Sequence, residues 1–146
     1  MEYLKIIAFT HKQIDLKALG KLVICDQTLD DRLRNIQSKL NIKEIFYVGT
    51  CNRVEFIFTS AEALDKSFII RFLTVLDMGL PKVYMEQFVE NVSTYEKTEA
   101  FNHLLRTSCS LESLVVGEKE ILAQVRKAYE ACRIAGFTGD YMRTIM

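Results

Sequence analysis

Residues Glu44–Thr59 read EIFYVGTCNRVEFIFT, and this stretch decides the fold. Two runs, Ile45–Val48 and Val54–Thr59, are dominated by β-branched and aromatic residues and predict strands. Between them lie Gly49, Thr50, Cys51, Asn52 and Arg53. Gly and Asn tolerate the backbone angles of a tight reversal, so the stretch predicts a hairpin. Cys51 then sits at its mouth, two residues from a guanidinium. Cationic neighbours raise the reactive thiolate fraction of a cysteine, which marks this turn as a candidate nucleophilic site. The competing reading is a structural cysteine with no chemistry.

Outward from the hairpin, Tyr3–Phe9 predicts a first strand, followed by a polar loop at Thr10, His11, Lys12 and Gln13. Asp15–Val23 predicts a short helix weakened by Gly20. Thr28–Leu40 predicts a clearer helix, with Leu29, Leu33, Ile36 and Leu40 on one face, Asp26 or Thr28 as N-cap and Asn41 as the stop. Within the hairpin, Val54, Phe56 and Phe58 alternate with Glu55, Ile57 and Thr59, so one face belongs to the core. Ser60 is expected to cap a helix over Ala61–Leu76, with Leu64, Phe68, Phe72 and Leu76 as its apolar stripe. Gln87–Val92 predicts a fourth strand. Ser93-Thr94-Tyr95-Glu96 fits a capping box that opens the next helix. Ser108–Val116 predicts further helix, Gly117 a break, and Glu118–Ala135 a strongly amphipathic helix. Asp140–Met146 reads as the first turns of another helix.

The order β-α-β-β-α-β predicts an α+β fold: a ferredoxin-like split βαβ sheet with additional C-terminal helices. The length of 146 residues suits one packed domain, and 49% hydrophobic residues with a single proline argue against long disorder. Formal net charge is zero, which removes bulk charge as a reason to bind nucleic acid. No apolar run is long enough to span a bilayer. Cys25, Cys51, Cys109 and Cys132 show neither C-x-x-C nor a zinc-ligand spacing with the two histidines, so a reducing cytoplasm is expected.

Two motifs carry a family resemblance. One is GTCNRVEFIF at Gly49–Phe58; the other is HLLRTSCSLESLVVGEKEILAQVRKAY at His103–Tyr129. Together they resemble the N-terminal catalytic domain of glutamyl-tRNA reductase, and the loop Thr10-His11-Lys12 resembles that family's early H-K loop. The resemblance implies a thioester-forming enzyme of tetrapyrrole (porphyrin) biosynthesis. It reduces the glutamyl group of glutamyl-tRNA with NADPH to glutamate-1-semialdehyde.

By the same resemblance Cys51 is the nucleophile and His103 a second catalytic group. Thr50, Asn52 and Arg53 line the substrate pocket, with Arg53 holding the glutamyl carboxylate. Ser113, Glu118, Lys119, Glu120 and Gln124 line the glutamate site. The sequence departs from the pattern in places. Thr107-Ser108-Cys109-Ser110 stands where V-A-S-G is usual, and Lys119 and Glu120 replace the common proline and glutamine.

Residues 1–139 are expected to form the catalytic domain and 140–146 to begin a linker helix. NADPH-binding and dimerisation domains lie outside this chain, since no G-x-G-x-x-G follows a strand. A homodimer, a downstream aminomutase partner, a cytoplasmic location and no membrane association complete the expectation. The alternative is a non-catalytic regulatory or RNA-binding module of the same shape.

Overall fold

The structure is a computed structural model that describes residues 2–108 and 120–146; for Glu120 and Ile121 it describes the backbone alone. Its strands are β1 (Leu4–Thr10), β2 (Ile45–Gly49), β3 (Arg53–Thr59) and β4 (Ser93–Glu96). Its helices are α1 (Leu16–Gly20), α2 (Asp26–Leu40), α3 (Lys66–Leu76), α4 (Lys82–Asn91), α5 (Lys97–Ser108), α6 (Glu120–Ile134) and α7 (Asp140–Ile145). The strands form one antiparallel sheet in the order β2-β3-β1-β4. This is the ferredoxin-like α+β arrangement, with helices added at its C-terminal end.

The sheet is covered on both faces, so β1 and β3 are buried along their whole length. On one face Phe56 meets Phe72 of α3 edge-on at 5.0 Å, Phe58 stacks on Phe68 at 5.9 Å, and Phe9 meets Phe88 of α4 at 5.7 Å. On the other face Phe46 meets Tyr129 of α6 at 5.6 Å, while α5 lies against β1 and β4. The single core face expected for the hairpin is therefore half of the arrangement. The second face carries the polar site residues.

Several elements differ from the sequence reading. Gln87–Val92 is helical for most of its length: it belongs to α4, and Val92 follows as its C-cap. The fourth strand is Ser93–Glu96, the four residues that fit a capping box, because their backbone pairs with Lys5–Ala8 of β1. The third helix starts at Lys66, where Asp65 accepts from the Phe68 N–H at 2.8 Å; Ser60 instead turns the loop by accepting from Glu62 N. The helix over Thr28–Leu40 begins at Asp26, with Cys25 at its N-cap. It stops at Asn41 in the left-handed conformation, φ 53°. No helix among the described residues is long and apolar enough to cross a membrane.

Gly49 ends β2 for a packing reason. The Tyr47 hydroxyl accepts from the Ile24 N–H at 2.8 Å and is held over Gly49. A Cβ there would overlap that hydroxyl and lie 2.6 Å from the ring carbon Cζ. Gly49→Ala is therefore expected to push Tyr47 off Ile24 and cost ~1–3 kcal/mol, read as a lower urea midpoint. An unchanged midpoint would show that the ring moves aside freely.

Candidate active site

The hairpin expected from sequence is present. Thr50, Cys51 and Asn52 connect β2 to β3, and the Thr50 N–H donates to the Arg53 carbonyl at 2.8 Å to close the turn. Cys51 is exposed. Asn52, by contrast, is 8% exposed and acts as the hub of the loop. Its N–H donates to Thr50 Oγ1 at 3.1 Å, and its Oδ1 lies 3.6 Å from Cys51 Sγ. Its carbonyl accepts from the His11 N–H at 2.9 Å and from His11 Nδ1 at 3.3 Å. Thr50 and Asn52 thus reach Cys51 through the loop itself. An amide suits the place beside a thiol, because it offers an acceptor to S–H and a donor to S⁻.

Strand alternation sends Arg53 and Glu55 to the sheet face under α5. Arg53 is 1% exposed, and its Nη1 donates to Glu55 Oε2 at 2.8 Å and to Thr107 Oγ1 at 3.4 Å. Glu55 is 2% exposed and accepts through Oε1 from His103 Nε2 at 2.5 Å. His103 stacks on Tyr95 with ring centroids 3.9 Å apart, and Thr107 lies 3.4 Å from its Nε2. A carboxylate facing Nε2 fixes a proton there, which makes Nδ1 the lone-pair nitrogen whenever the ring carries a single proton. Nδ1 is buried with no partner among the described residues. Burial alone would raise the Glu55 pKa. The His103 bond and charge and the Arg53 cation outweigh it and hold the carboxyl below its ordinary value.

Arg53 is therefore not a bare cation beside the thiol; it is half of a buried ion pair. Glu55, Tyr95 and Thr107 escaped sequence reasoning. Only Glu55 left a signal, as a lone carboxylate in a strand otherwise rich in apolar residues. Gln124 is half-buried on α6 and shares with Gly49, Tyr47, Asp26 and Lys127 a surface cavity of about 280 Å³, at the base of the hairpin. Ser113, Glu118 and Lys119, with Cys109, lie outside the described residues, as does the side chain of Glu120.

A family model described as Glutamyl-tRNAGlu reductase, N-terminal domain, matches residues 7–146. The glutamyl-tRNA reductase of Campylobacter curvus is 34% identical over 148 residues, covering 100% of this chain and 33% of that protein. That of Campylobacter concisus is 36% identical over 133 residues, covering 89% of this chain and 30% of that protein. The solved glutamyl-tRNA reductase from Methanopyrus kandleri superposes with a TM-score of 0.76 at 26% identity, covering 99% of this chain and 32% of that one. The chain spans about a third of the length of these curated relatives. The hairpin with its exposed cysteine and the buried polar network beneath α5 lie within the matched region: the chain belongs to the glutamyl-tRNA reductase N-terminal domain family.

Proposed function

We propose that this chain takes the glutamyl group from glutamyl-tRNA onto Cys51. The observation that carries the reading is an exposed thiol at a hairpin tip, its sulfur beside a buried asparagine, in a chain of this family. The thiolate adds to the ester carbonyl joining glutamate to the tRNA ribose. The carbon–oxygen bond to ribose then breaks, the ribose oxygen takes a proton, and a thioester remains. Sulfur donates less into the carbonyl than oxygen does, so the thioester is the better hydride acceptor. We assign His103, held through Nε2 by Glu55, the relay of the proton lost by the Cys51 thiol: the lone-pair Nδ1 takes up that proton and then gives it to the ribose oxygen. The glutamyl carboxylate would have to share Arg53 with Glu55. We assign Thr50, Asn52, Gln124 and, from the undescribed segment, Ser113, Glu118 and Lys119 to the surroundings of the bound glutamyl group, with Glu120 beside them.

Reduction to glutamate-1-semialdehyde, on the way to tetrapyrroles, requires a hydride from NADPH. The described sheet is antiparallel throughout and has no parallel βαβ crossover with a Gly-rich turn, so its residues do not fit a dinucleotide. We place that cofactor on polypeptide beyond residues 1–146. Dimerisation and transfer of the product to an aminomutase belong, in this reading, to the longer protein in the cytoplasm.

The test is incubation with glutamyl-tRNA and NADPH. Mass spectrometry is expected to find the glutamyl adduct on the Cys51 peptide, with slow release of free glutamate and no nicotinamide oxidation. Semialdehyde formed by this chain alone would overturn the division of labour. No adduct, with Cys51 alkylated no faster than free cysteine, would favour a non-catalytic module.

A further inference from the structure

The mechanism above leaves one feature of the hairpin unused. Both lone pairs of the Asn52 carbonyl are taken by one residue, His11, from its backbone N–H at 2.9 Å and its ring Nδ1 at 3.3 Å. His11 follows directly on β1, whose last residue Thr10 pairs with Arg53. The ring therefore reaches across the sheet end to the peptide that joins Asn52 to Arg53, one residue on from Cys51. A carbonyl acceptor requires the proton on Nδ1, so the ring enters this bond as a donor. The peptide after Asn52 is thus held from outside the hairpin, while the peptide between Cys51 and Asn52 is held from within by Asn52 N–H on Thr50 Oγ1.

We propose that His11 is a positioning residue for Cys51, bracing the loop that carries the thiol through the Asn52 carbonyl. The proposal rests on Cys51 being the nucleophile. A short loop between two strands fixes the path of its backbone but leaves the middle peptide free to rock. A nucleophile gains from a fixed approach to its carbonyl, and small misplacements are costly. The ring bond removes that rocking at the residue next to the sulfur.

Three substitutions separate the ring atoms. His11→Ala removes the ring and keeps the backbone bond. His11→Asn places an amide N–H where Nδ1 stood, since both atoms are the same number of bonds from Cα. His11→Gln places its amide where Nε2 stood. Two readouts are followed: glutamyl capture from glutamyl-tRNA, and amide hydrogen exchange of Thr50, whose N–H closes the turn. His11→Ala and His11→Gln are expected to slow capture about tenfold and to speed Thr50 exchange. His11→Asn is expected to restore both to within about twofold of the parent, and the exchange of the core strands stays unchanged in all three.

Rescue by Gln in place of Asn would assign the effect to Nε2 and overturn the brace. So would parent-like exchange and capture in His11→Ala. If the parent forms no thioester, the nucleophile reading fails on its own, and Thr50 exchange alone decides whether His11 holds the loop.

Discussion

Cys51→Ser is expected to lower glutamyl capture by at least about a thousandfold and to leave the fold intact. The Ser hydroxyl can occupy the same place and donate to Asn52 Oδ1, so geometry is not what fails. The nucleophile fails, because an alkoxide is far harder to form than a thiolate, and the product would be one ester exchanged for another. The side chain is exposed, so the unfolding free energy should move by less than about 0.5 kcal/mol. Capture is read as the adduct on the intact protein, and stability by urea unfolding. Activity retained in Cys51→Ser with Cys109 in place would move the nucleophile to Cys109. Cys25 needs its own control, because the Thr28 hydroxyl and backbone lower that exposed thiol's pKa and make it a second target for alkylation. Cys25→Ser should leave capture unchanged.

Glu55→Ala is expected to destabilise the fold by ~3–5 kcal/mol, the cost of leaving a buried cation without its partner. Arg53, at 1% exposure, would face the cavity left by the carboxylate, and His103 would lose its 2.5 Å acceptor. Glu55→Gln separates charge from shape, since an amide can still accept from Arg53 or His103. The two variants should rank Ala below Gln below the parent in urea. Acid supplies an independent reading. The Glu55 pKa is lower in the folded chain than its ordinary value of 4.5. Its contribution is therefore fully present above that value and is lost as pH falls through the folded pKa. The stability gap between parent and Glu55→Gln should narrow as the solution is acidified below that range. A gap that stays constant would show that the carboxylate is not ionised in the folded protein.

The hairpin was legible because everything that makes it is local: branched and aromatic residues on either side of Gly49 and Asn52. The same holds for the helix that stops at Asn41. The fourth strand was illegible for the opposite reason. Ser93–Glu96 contains no apolar residue except Tyr95, and its strand state comes from pairing with Lys5–Ala8, about ninety residues earlier. Tyr84, Phe88 and Val89 look strand-like, yet they form a helix because Phe88 packs on Phe9. Glu55 shows the same limit at the site. Period-two alternation places it off the Phe56 face, but only α5, arriving with His103 and Thr107, turns that second face into a buried polar network. The motif around Cys51 marked the hairpin loop as the candidate site. It did not reveal that Arg53 is engaged by Glu55, or that Asn52 is held from His11.

The position of β1 in the sheet sets the order in which the chain must assemble during synthesis. It is the first of the four described strands to be made, yet it lies between β3 and β4. Its inner neighbour is complete only at Thr59, and its outer one only at Glu96. Until Thr59 is made, Ile6, Ile7 and Phe9 have no strand beside them, and until Glu96 is made Lys5–Ala8 form an open edge. Closing such distant pairs costs loop entropy before it returns any contact, so sheet completion is the slow event. A nascent chain halted before residue 93 would hold the Cys51 hairpin against β1 but leave the other edge of β1 unpaired.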